Sequence, residues 1–338
     1  MSGEVLARAP GKLFVLGEYA VLDGCPAVVA AVDRFVEVSL AWQPGNGVTE
    51  ITSGAAHTRF ANAELPLEAG PLRFVIAAIR SVLAQCPALA ALDLALDITS
   101  RLTAADGAKL GLGSSAAVTA GVVAAMFAAA GRSLETRADR DELFVVALEA
   151  HRRVQGETGS GADVAASVYG GLILFQPLAP LAEIRLLDLP AGTRLLAAWT
   201  GEPASTPDLV QRYRAAGNGR AKHRAAFVDD SRAAVREFIT ALASGAVSLR
   251  ALAANQLLLE RLAADMALPL ITPPLRDLIQ VARHQGVAAK ISGAGGGDCG
   301  IALVDDHQAE ALRQAWEAAG LVPLDLNIAP EGVSVVRA

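Results

Sequence analysis

The chain has 338 residues, of which 53% are hydrophobic and 19% are charged, and its formal net charge is −6. This apolar content excludes a disordered chain and predicts one large or two medium domains with buried cores. Acidic and basic residues are interspersed without blocks of one sign, which argues against a surface for nucleic acid or anionic lipid.

The sequence also argues against secretion, membrane insertion and disulfide bonding. Charged residues interrupt the apolar residues near the N-terminus, unlike a signal peptide, so we expect a cytoplasmic protein. The longest charge-free apolar segment, residues 116–130, is shorter than the roughly 20 residues of a membrane-spanning helix. Cys25, Cys86 and Cys299 lie far apart and predict buried thiols, with neither disulfides nor a metal site.

The first half of the chain begins with apolar stretches broken by glycine and proline, which predict strands at 5–7, 12–16 and 28–40. Apolar residues at helical spacing, or small residues throughout, then predict a series of helices. These helices are expected at 72–85, 115–130 and 141–155, with a strand at 92–100. Ser114 is the expected N-cap of the middle helix and Gly131 its C′ residue.

A domain boundary is predicted after a strand at 172–176, where the chain becomes rich in proline. We therefore expect an N-terminal domain over 1–180 and a C-terminal domain over 190–338. The strands predicted in the second domain are 195–200, 288–291, 299–303, 324–328 and 332–336, and the helices are 222–243, 249–265, 274–285 and 308–319. This mixture predicts an α+β domain of the split βαβ type.

Residues 109–116, KLGLGSSA, form the first segment with a chemical signal. Glycines let backbone N–H groups turn toward an anion, and the N-terminus of the following helix adds a favourable dipole. Lys109 can neutralise phosphate charge, and Ser115 can reach a magnesium ion. Two alternatives are a turn that only caps a helix and a dinucleotide fingerprint, although that fingerprint normally follows the first strand of a βαβ unit.

Two further segments stand out. Residues 292–298, SGAGGGD, have glycine at four of five consecutive positions, which predicts close approach of the backbone to a ligand, with a flexible hairpin as the alternative. Residues 155–167, QGETGSGADVAAS, place Asp163 after a turn of glycine and serine. Taken alone, Asp163 is most simply explained as a helix N-cap.

Together and in this order, these segments resemble the three motifs of the GHMP kinases. The matching stretches are 9–18, which begins APGK, 111–116 and 292–297. The resemblance implies an α+β, two-domain GHMP kinase fold: an N-terminal domain like domain 2 of ribosomal protein S5, a ferredoxin-like C-terminal domain and an active site in the cleft between them. It also implies ATP and Mg²⁺ as cofactors, a small-molecule phosphate acceptor and no nucleic-acid or membrane partner. Whether the chain forms a homodimer stays open.

The resemblance extends to individual residues of the site. It implies Lys109, Asp163 and Lys12 as catalytic residues and Ser115 as the magnesium ligand. The nucleotide-binding residues are expected to be Lys109, Gly111, Leu112, Gly113, Ser114, Ser115 and Ala116. The residues expected to bind or close over the acceptor are Lys12, Glu18, Ser160, Asp163, Ser205, Ser292, Gly293, Ala294, Gly295, Gly296 and Gly297. A second magnesium ligand stays open between Glu149, His151 and water.

The choice of acceptor depends on finer similarity within the family. Stretches such as KLGLGSSAAV and WTGEPASTPDLV are most similar to the phosphomevalonate kinases. They imply ATP-dependent conversion of 5-phosphomevalonate to diphosphomevalonate in the mevalonate route to isoprenoids. Tyr19 and His151 stand where mevalonate kinases usually have His and a magnesium-binding Glu. Mevalonate kinase, another small-alcohol or sugar kinase and a non-catalytic ligand sensor remain as alternatives.

Overall fold

The architecture comes from a computed structural model that describes residues 2–66, 70–104, 106–156, 159–178, 182–217 and 220–337. The strands in this part of the chain are β1 Gly3–Leu16, β2 Ala27–Pro44, β3 Val48–Ser53, β4 Ala56–Ala61, β5 Leu92–Ser100, β6 Leu172–Gln176, β7 Glu183–Leu187, β8 Thr193–Trp199, β9 Ala289–Ile291, β10 Cys299–Asp305, β11 Val322–Leu324 and β12 Ser334–Arg337. The helices are α1 Arg73–Gln85, α2 Ser114–Ala129, α3 Arg137–Gln155, α4 Ala162–Tyr169, α5 Thr206–Gly217, α6 Ala221–Ala243, α7 Leu249–Met266, α8 Pro273–His284 and α9 Asp306–Ala318.

The larger sheet contains eight of the described strands. Its order is β12-β1-β2-β5-β3-β4, with β6 paired to β2 and β7 paired to β6. Only β3 and β5 run parallel among these described strands. Two strands predicted at 5–7 and 12–16 are a single strand, because the chain passes Pro10 and Gly11 through a register shift instead of a turn. The β1–β2 pair therefore provides the two longest strands of the larger sheet.

Helix α2 lies at the centre of this N-terminal layer. Its residues from Ala116 to Ala128 are nearly all buried, and it packs against β1, β2, α1 and α3. Small side chains allow a helix to be buried on every face, which explains why its sequence lacks a polar stripe. The predicted C′ residue is confirmed: Gly131 has φ +77° and donates its N–H to the Ala128 carbonyl at 3.0 Å.

The smaller sheet has the order β11-β8-β10-β9, and all three pairings are antiparallel. Helices α5 to α8 connect β8 to β9, and α9 connects β10 to β11. This β-α-β-β-α-β order is the split βαβ arrangement of ferredoxin-like domains, as the sequence predicted.

The end of the chain departs from the predicted pattern. A strand at 324–328 is wrong, because β11 ends at Leu324 and Ile328 instead bridges to Val32 of β2. From there the chain returns to the larger sheet, where β12 pairs with residues 5–8 of β1. The division at 1–180 and 190–338 stays a prediction that does not account for this return, and its limits at residues 1, 180 and 338 lie outside the described residues.

The remaining sequence predictions concern membranes and cysteines. No described helix is both long and apolar enough to span a bilayer. All three cysteines are free thiols, with Cys25 and Cys299 buried and Cys86 partly buried. The predicted burial of the thiols is therefore confirmed for Cys25 and Cys299.

Candidate functional site

The turn before α2, residues 111–113 and here named the phosphate turn, has the geometry of an anion site. Gly111 and Gly113 both adopt left-handed conformations, with φ of +75° and +77°. The prediction that Ser114 is the N-cap is wrong: Gly113 is the N-cap and Ser114 the first helical residue. Because glycine has no side chain to cap the helix, the first N–H groups of α2 remain free for a ligand. Leu112 is buried, and its carbonyl accepts from the Lys12 N–H at 2.8 Å.

Lys12 joins this turn to the other two glycine-containing segments. Its side chain is 9% exposed, and its Nζ donates to the Gly111 carbonyl at 3.1 Å. The stem lies so close to Gly113 that a Cβ there would be 2.8 Å from Lys12 Cγ. A Cβ on Gly293 would lie 3.9 Å from Lys12 Nζ. One ammonium group therefore stands where the three predicted motifs meet.

The glycine-rich loop is held in place by backbone contacts. Gly293, Gly295, Gly296 and Gly297 all have positive φ, which suits residues without a side chain. Gly296 donates its N–H to the Leu270 carbonyl at 2.8 Å. A Cβ on Gly295 would lie 2.5 Å from the same carbonyl oxygen. These contacts argue against the flexible hairpin that the sequence left as an alternative.

Tyr19 ties this loop to the turn after β1. Its hydroxyl donates to the Ala294 carbonyl at 2.6 Å, although its own backbone has φ +60°, a strained conformation for a side chain of this size. Burial raises the pKa of Tyr19 above its ordinary value, and the nearby Glu18 adds to this, so the hydroxyl remains a donor. The Tyr19 ring packs on Tyr213 of α5 with centroids 5.1 Å apart.

A second cluster lies where α2 and α4 begin. His151 is 2% exposed, and its Nε2 lies 3.2 Å from Ser115 Oγ and 4.0 Å from Asp163 Oδ2. The ring of Phe74 stacks on the imidazole. Asp163 is the second residue of α4, whose N-cap is Gly161, so its expected role as an N-cap is wrong. The structure thus brings Ser115 and Asp163 to the same imidazole.

The other predicted acceptor residues occupy more peripheral positions. Ser160 Oγ accepts from the Ala162 N–H at 3.2 Å and so supports the start of α4. Ser205 is exposed and directly precedes α5, and Lys109 is exposed at the entrance to the phosphate turn. Residues 157 and 158 of the Asp163 segment lie outside the described residues.

Glu18 and Ser292 are engaged within the protein. Glu18 is 2% exposed and accepts a hydrogen bond from Nζ of Lys290, which is fully buried on β9. Ser292 Oγ donates to the Phe14 carbonyl at 3.0 Å and so anchors the glycine-rich loop to β1. Both side chains join the two sheets here. The sequence did not identify Lys290, and its only signal was a lone lysine on an apolar stretch before the loop.

Asp298 is a second residue that the sequence analysis did not assign to the site. It ends the glycine-rich segment with φ +56°, and its Oδ1 accepts from the Ala204 N–H at 3.0 Å. Burial raises the pKa of the Asp298 carboxyl above its ordinary value, while the Ala204 N–H, Lys12 and Lys109 oppose this shift. Its position at the end of a glycine run was the only available signal.

Comparisons with known proteins address the family of the chain. Residues 73–171 match the family model for the N-terminal domain of GHMP kinases, and residues 238–321 match the model for the C-terminal domain. A phosphomevalonate kinase from a Streptomyces species is 37% identical over 97% of this chain and 98% of its own length. The chain belongs to the GHMP kinase family. The predicted GHMP fold, the phosphotransferase class and the use of ATP are thereby confirmed.

Other members of the GHMP kinase family are more distant. A mevalonate kinase from Thermococcus sibiricus is 28% identical over 98% of each chain. The solved structure of Streptococcus pneumoniae phosphomevalonate kinase, in complex with phosphomevalonate and AMPPNP, has a TM-score of 0.77 at 24% identity and covers 98% of this chain and 99% of that one. That likeness supports the fold of this GHMP kinase over nearly the whole chain.

Proposed function

We propose that this GHMP kinase transfers the γ-phosphoryl group of ATP to the phosphate of 5-phosphomevalonate, giving diphosphomevalonate and ADP. The observation that carries the proposal is the position of Lys12, whose ammonium contacts the phosphate turn and faces the glycine-rich loop. Such a site suits an acceptor that is itself an anion. The similarity to the Streptomyces phosphomevalonate kinase supports this choice of acceptor.

The nucleotide phosphates would lie on the phosphate turn and the N-terminus of α2. Free N–H groups at a helix start and left-handed glycines suit oxygen anions, and the helix dipole adds to the attraction. Lys109, at the open side of this turn, would neutralise charge on the group being transferred. Phosphoryl transfer needs positioning and charge neutralisation above all, because its transition state is loose and rich in negative charge.

The residues near Ser115 fit a magnesium ion that arrives with the nucleotide. No cluster of three His, Cys, Asp or Glu residues in the described part of the chain could hold a metal alone. Magnesium usually takes one or two protein oxygens beside phosphates and water, and the Ser115 hydroxyl is an oxygen donor of this kind. Glu149 is exposed and pairs with Arg153, which leaves His151 or water beside Ser115. When bound, the ion would neutralise negative charge on the nucleotide phosphates.

In the transfer, an oxygen of the acceptor phosphate forms a bond to the γ-phosphorus while the bond from that phosphorus to the β–γ bridging oxygen breaks. ADP leaves with the electron pair of the broken bond. Asp163 would orient the acceptor, because a phosphate monoester with a second pKa near about 6 is already an anionic nucleophile at neutral pH. Lys12 would hold the same phosphate, and residues 293–297 would close over it.

The second candidate is mevalonate phosphorylation, which the 28% identity to a mevalonate kinase over nearly the whole chain favours. A hydroxyl acceptor must lose a proton, and Asp163 beside His151 offers a carboxylate for that task. Asp163 would therefore orient the acceptor in the first reaction and accept a proton from it in the second.

The deciding experiment is ADP release by the purified enzyme with 5-phosphomevalonate, mevalonate, galactose or homoserine. We expect the highest kcat/KM with 5-phosphomevalonate. A clear preference for mevalonate or a sugar would contradict the proposed acceptor and leave the kinase class intact. Location in the cytoplasm stays a prediction from the sequence, and whether the chain forms a homodimer stays open.

A further inference from the structure

Asp298 connects three segments of the site through separate atoms. Its N–H donates to the Glu202 carbonyl at 2.7 Å, and its carbonyl accepts from the Thr200 N–H at 2.9 Å. Its Oδ1 accepts from the Ala204 N–H. These three bonds fix residues 200–204, the loop that leads directly into Ser205 and α5, to the end of the glycine-rich segment.

The same side chain rests on the phosphate turn. A Cβ on Gly111 would lie 2.4 Å from Asp298 Cβ and 2.8 Å from its Oδ2. Gly111 in turn supplies the carbonyl that accepts from Lys12 Nζ. The carboxylate therefore stands between the phosphate turn and the 200–205 loop, close enough to Lys12 and Lys109 for both cations to act on it.

The backbone of Asp298 shows that this arrangement has a cost. Left-handed conformations are unfavourable for residues with a Cβ, and the neighbouring loop positions 295, 296 and 297 are all glycine. Aspartate and asparagine tolerate the conformation better than other side chains. The backbone conformation at position 298 would suit glycine, as at the three preceding positions, so it does not by itself require an aspartate.

We propose that Asp298 is a positioning residue for the phosphoryl acceptor: through Ala204 it holds the 200–205 loop, and with it Ser205, at a fixed distance from the phosphate turn. The distance between the 200–205 loop and the phosphate turn is then fixed before the acceptor binds. The inference rests on the proposed function in that the acceptor binds between this loop and Lys12. It predicts that loss of the Asp298 side chain weakens acceptor binding more than nucleotide binding.

The test compares Asp298→Gly with Asp298→Asn in steady-state kinetics with both substrates varied. Glycine removes the carboxylate and accepts φ +56° without strain, whereas asparagine keeps an oxygen that can accept from Ala204. We expect glycine to raise the acceptor KM about tenfold, the equivalent of about 1.4 kcal/mol, with the ATP KM within about twofold. Asparagine should restore the acceptor KM to within about threefold of wild type.

Asp305→Ala is the matched control. Asp305 lies at the other end of β10 and also accepts from backbone N–H groups, those of His307 and Gln308, but away from the site. Both KM values should stay at wild type in this variant, whatever happens to its melting temperature. A purely structural role for Asp298 would raise both KM values together in the glycine variant and lower its melting temperature.

An unchanged acceptor KM in Asp298→Gly, or equal increases in both KM values, would overturn the inference. So would a failure of asparagine to restore the acceptor KM in a folded enzyme. All variants are assayed with the acceptor that the wild-type enzyme uses best. A wild-type preference for mevalonate would therefore reject the proposed function while the comparison of the two KM values still tests Asp298.

Discussion

Two lysines at the site differ sharply in their surroundings. Lys12 is nearly buried and already donates to Gly111, whereas Lys109 is exposed at the edge of the phosphate turn. A group that acts only in the transition state lowers kcat and kcat/KM together, and one that also binds the ground state changes KM. From these environments we expect Lys12 to bind the acceptor in the ground state and Lys109 to stabilise the phosphoryl group during its transfer.

Methionine variants test this assignment, because methionine preserves the Lys12 stem that packs on Gly113. Lys12→Met should mainly raise the acceptor KM, and Lys109→Met should lower kcat and kcat/KM equally. Each loss should be about ten- to a hundredfold, the range for hydrogen bonds to charged groups. Steady-state kinetics measure both, and the opposite pattern would exchange the two roles.

Asp163 provides a test of the acceptor's chemistry. Asp163→Asn keeps the shape of the side chain and removes its basicity. If the acceptor is a phosphate, we expect kcat with 5-phosphomevalonate to fall by less than about 10², with no acidic limb assignable to a carboxylate, since no proton must be removed. A loss of about 10⁴ or more in a folded enzyme would identify a general base and favour an alcohol acceptor.

The Asp298 carboxyl predicts a pH effect on stability. A raised pKa means that the folded state holds this proton more tightly than the unfolded state, so its contribution to stability is lost as pH rises through the folded-state pKa. Asp298→Asn has no proton to lose. Its melting temperature relative to wild type should therefore increase between about pH 4 and pH 7. Calorimetry across this range measures it, and a constant difference would contradict the expected sign.

At the scale of elements, contacts with neighbouring segments fix the conformation of the glycine-rich loop. The Tyr19 hydroxyl, the Leu270 carbonyl and the Phe14 carbonyl hold its two ends and its middle. Tyr19 in turn contacts Tyr213, whose hydroxyl donates to Asp23. The loop and the α5 helix are thus connected through two rings and the turn after β1.

Tyr19→Phe should disturb the loop without creating a cavity. Loss of the bond to Ala294 is worth about 1 kcal/mol, so we expect kcat/KM for the acceptor to fall about fivefold. Tyr213→Phe removes a bond to Asp23 and keeps Tyr19 in place, so its kinetics should remain close to wild type. Equal kinetic losses in the two variants would show that the loop does not depend specifically on the Tyr19–Ala294 hydrogen bond.

The sequence predicted those elements whose signals are local. Helix α2 was predicted within a few residues because Gly131 and the small residues before it need no distant partner. Strands β3 and β4 and helix α5 were missed, because polar residues make up about half or more of each and their apolar residues are few. Glycine turns predicted the motifs of the site, but the partners of Glu18, Ser292 and Asp298 lie far away in sequence and follow only from the fold.

At the scale of the whole molecule, the two sheets are joined by a buried ion pair. Glu18 follows β1 of the larger sheet, and Lys290 lies on β9 of the smaller one, where it also donates to the Ile291 carbonyl at 2.6 Å. Burial lowers the pKa of Lys290, while Glu18 opposes this by favouring the charged form. The buried charges of Glu18 and Lys290 are each tolerated only because the opposite charge compensates the loss of solvation.

Lys290→Met should therefore lower the free energy of unfolding by about 3–5 kcal/mol, because Glu18 would remain buried without a partner. The double variant Glu18→Gln with Lys290→Met removes both charges and should recover much of this loss. Urea unfolding followed by circular dichroism measures the three proteins. A double variant no more stable than the single one would show that packing, and not the unpaired charge, sets the cost.

The pairing of β12 with β1 has a consequence for synthesis on the ribosome. Nearly the whole chain separates Arg8 from its partner Ser334, so β1 leaves the ribosome long before the strand that covers its edge. Until then, residues 5–8 present unpaired backbone groups, which can pair with another chain. The nascent kinase is therefore most prone to aggregation while its first sheet is incomplete, and a chaperone that shields this edge would be needed only until the last strand emerges.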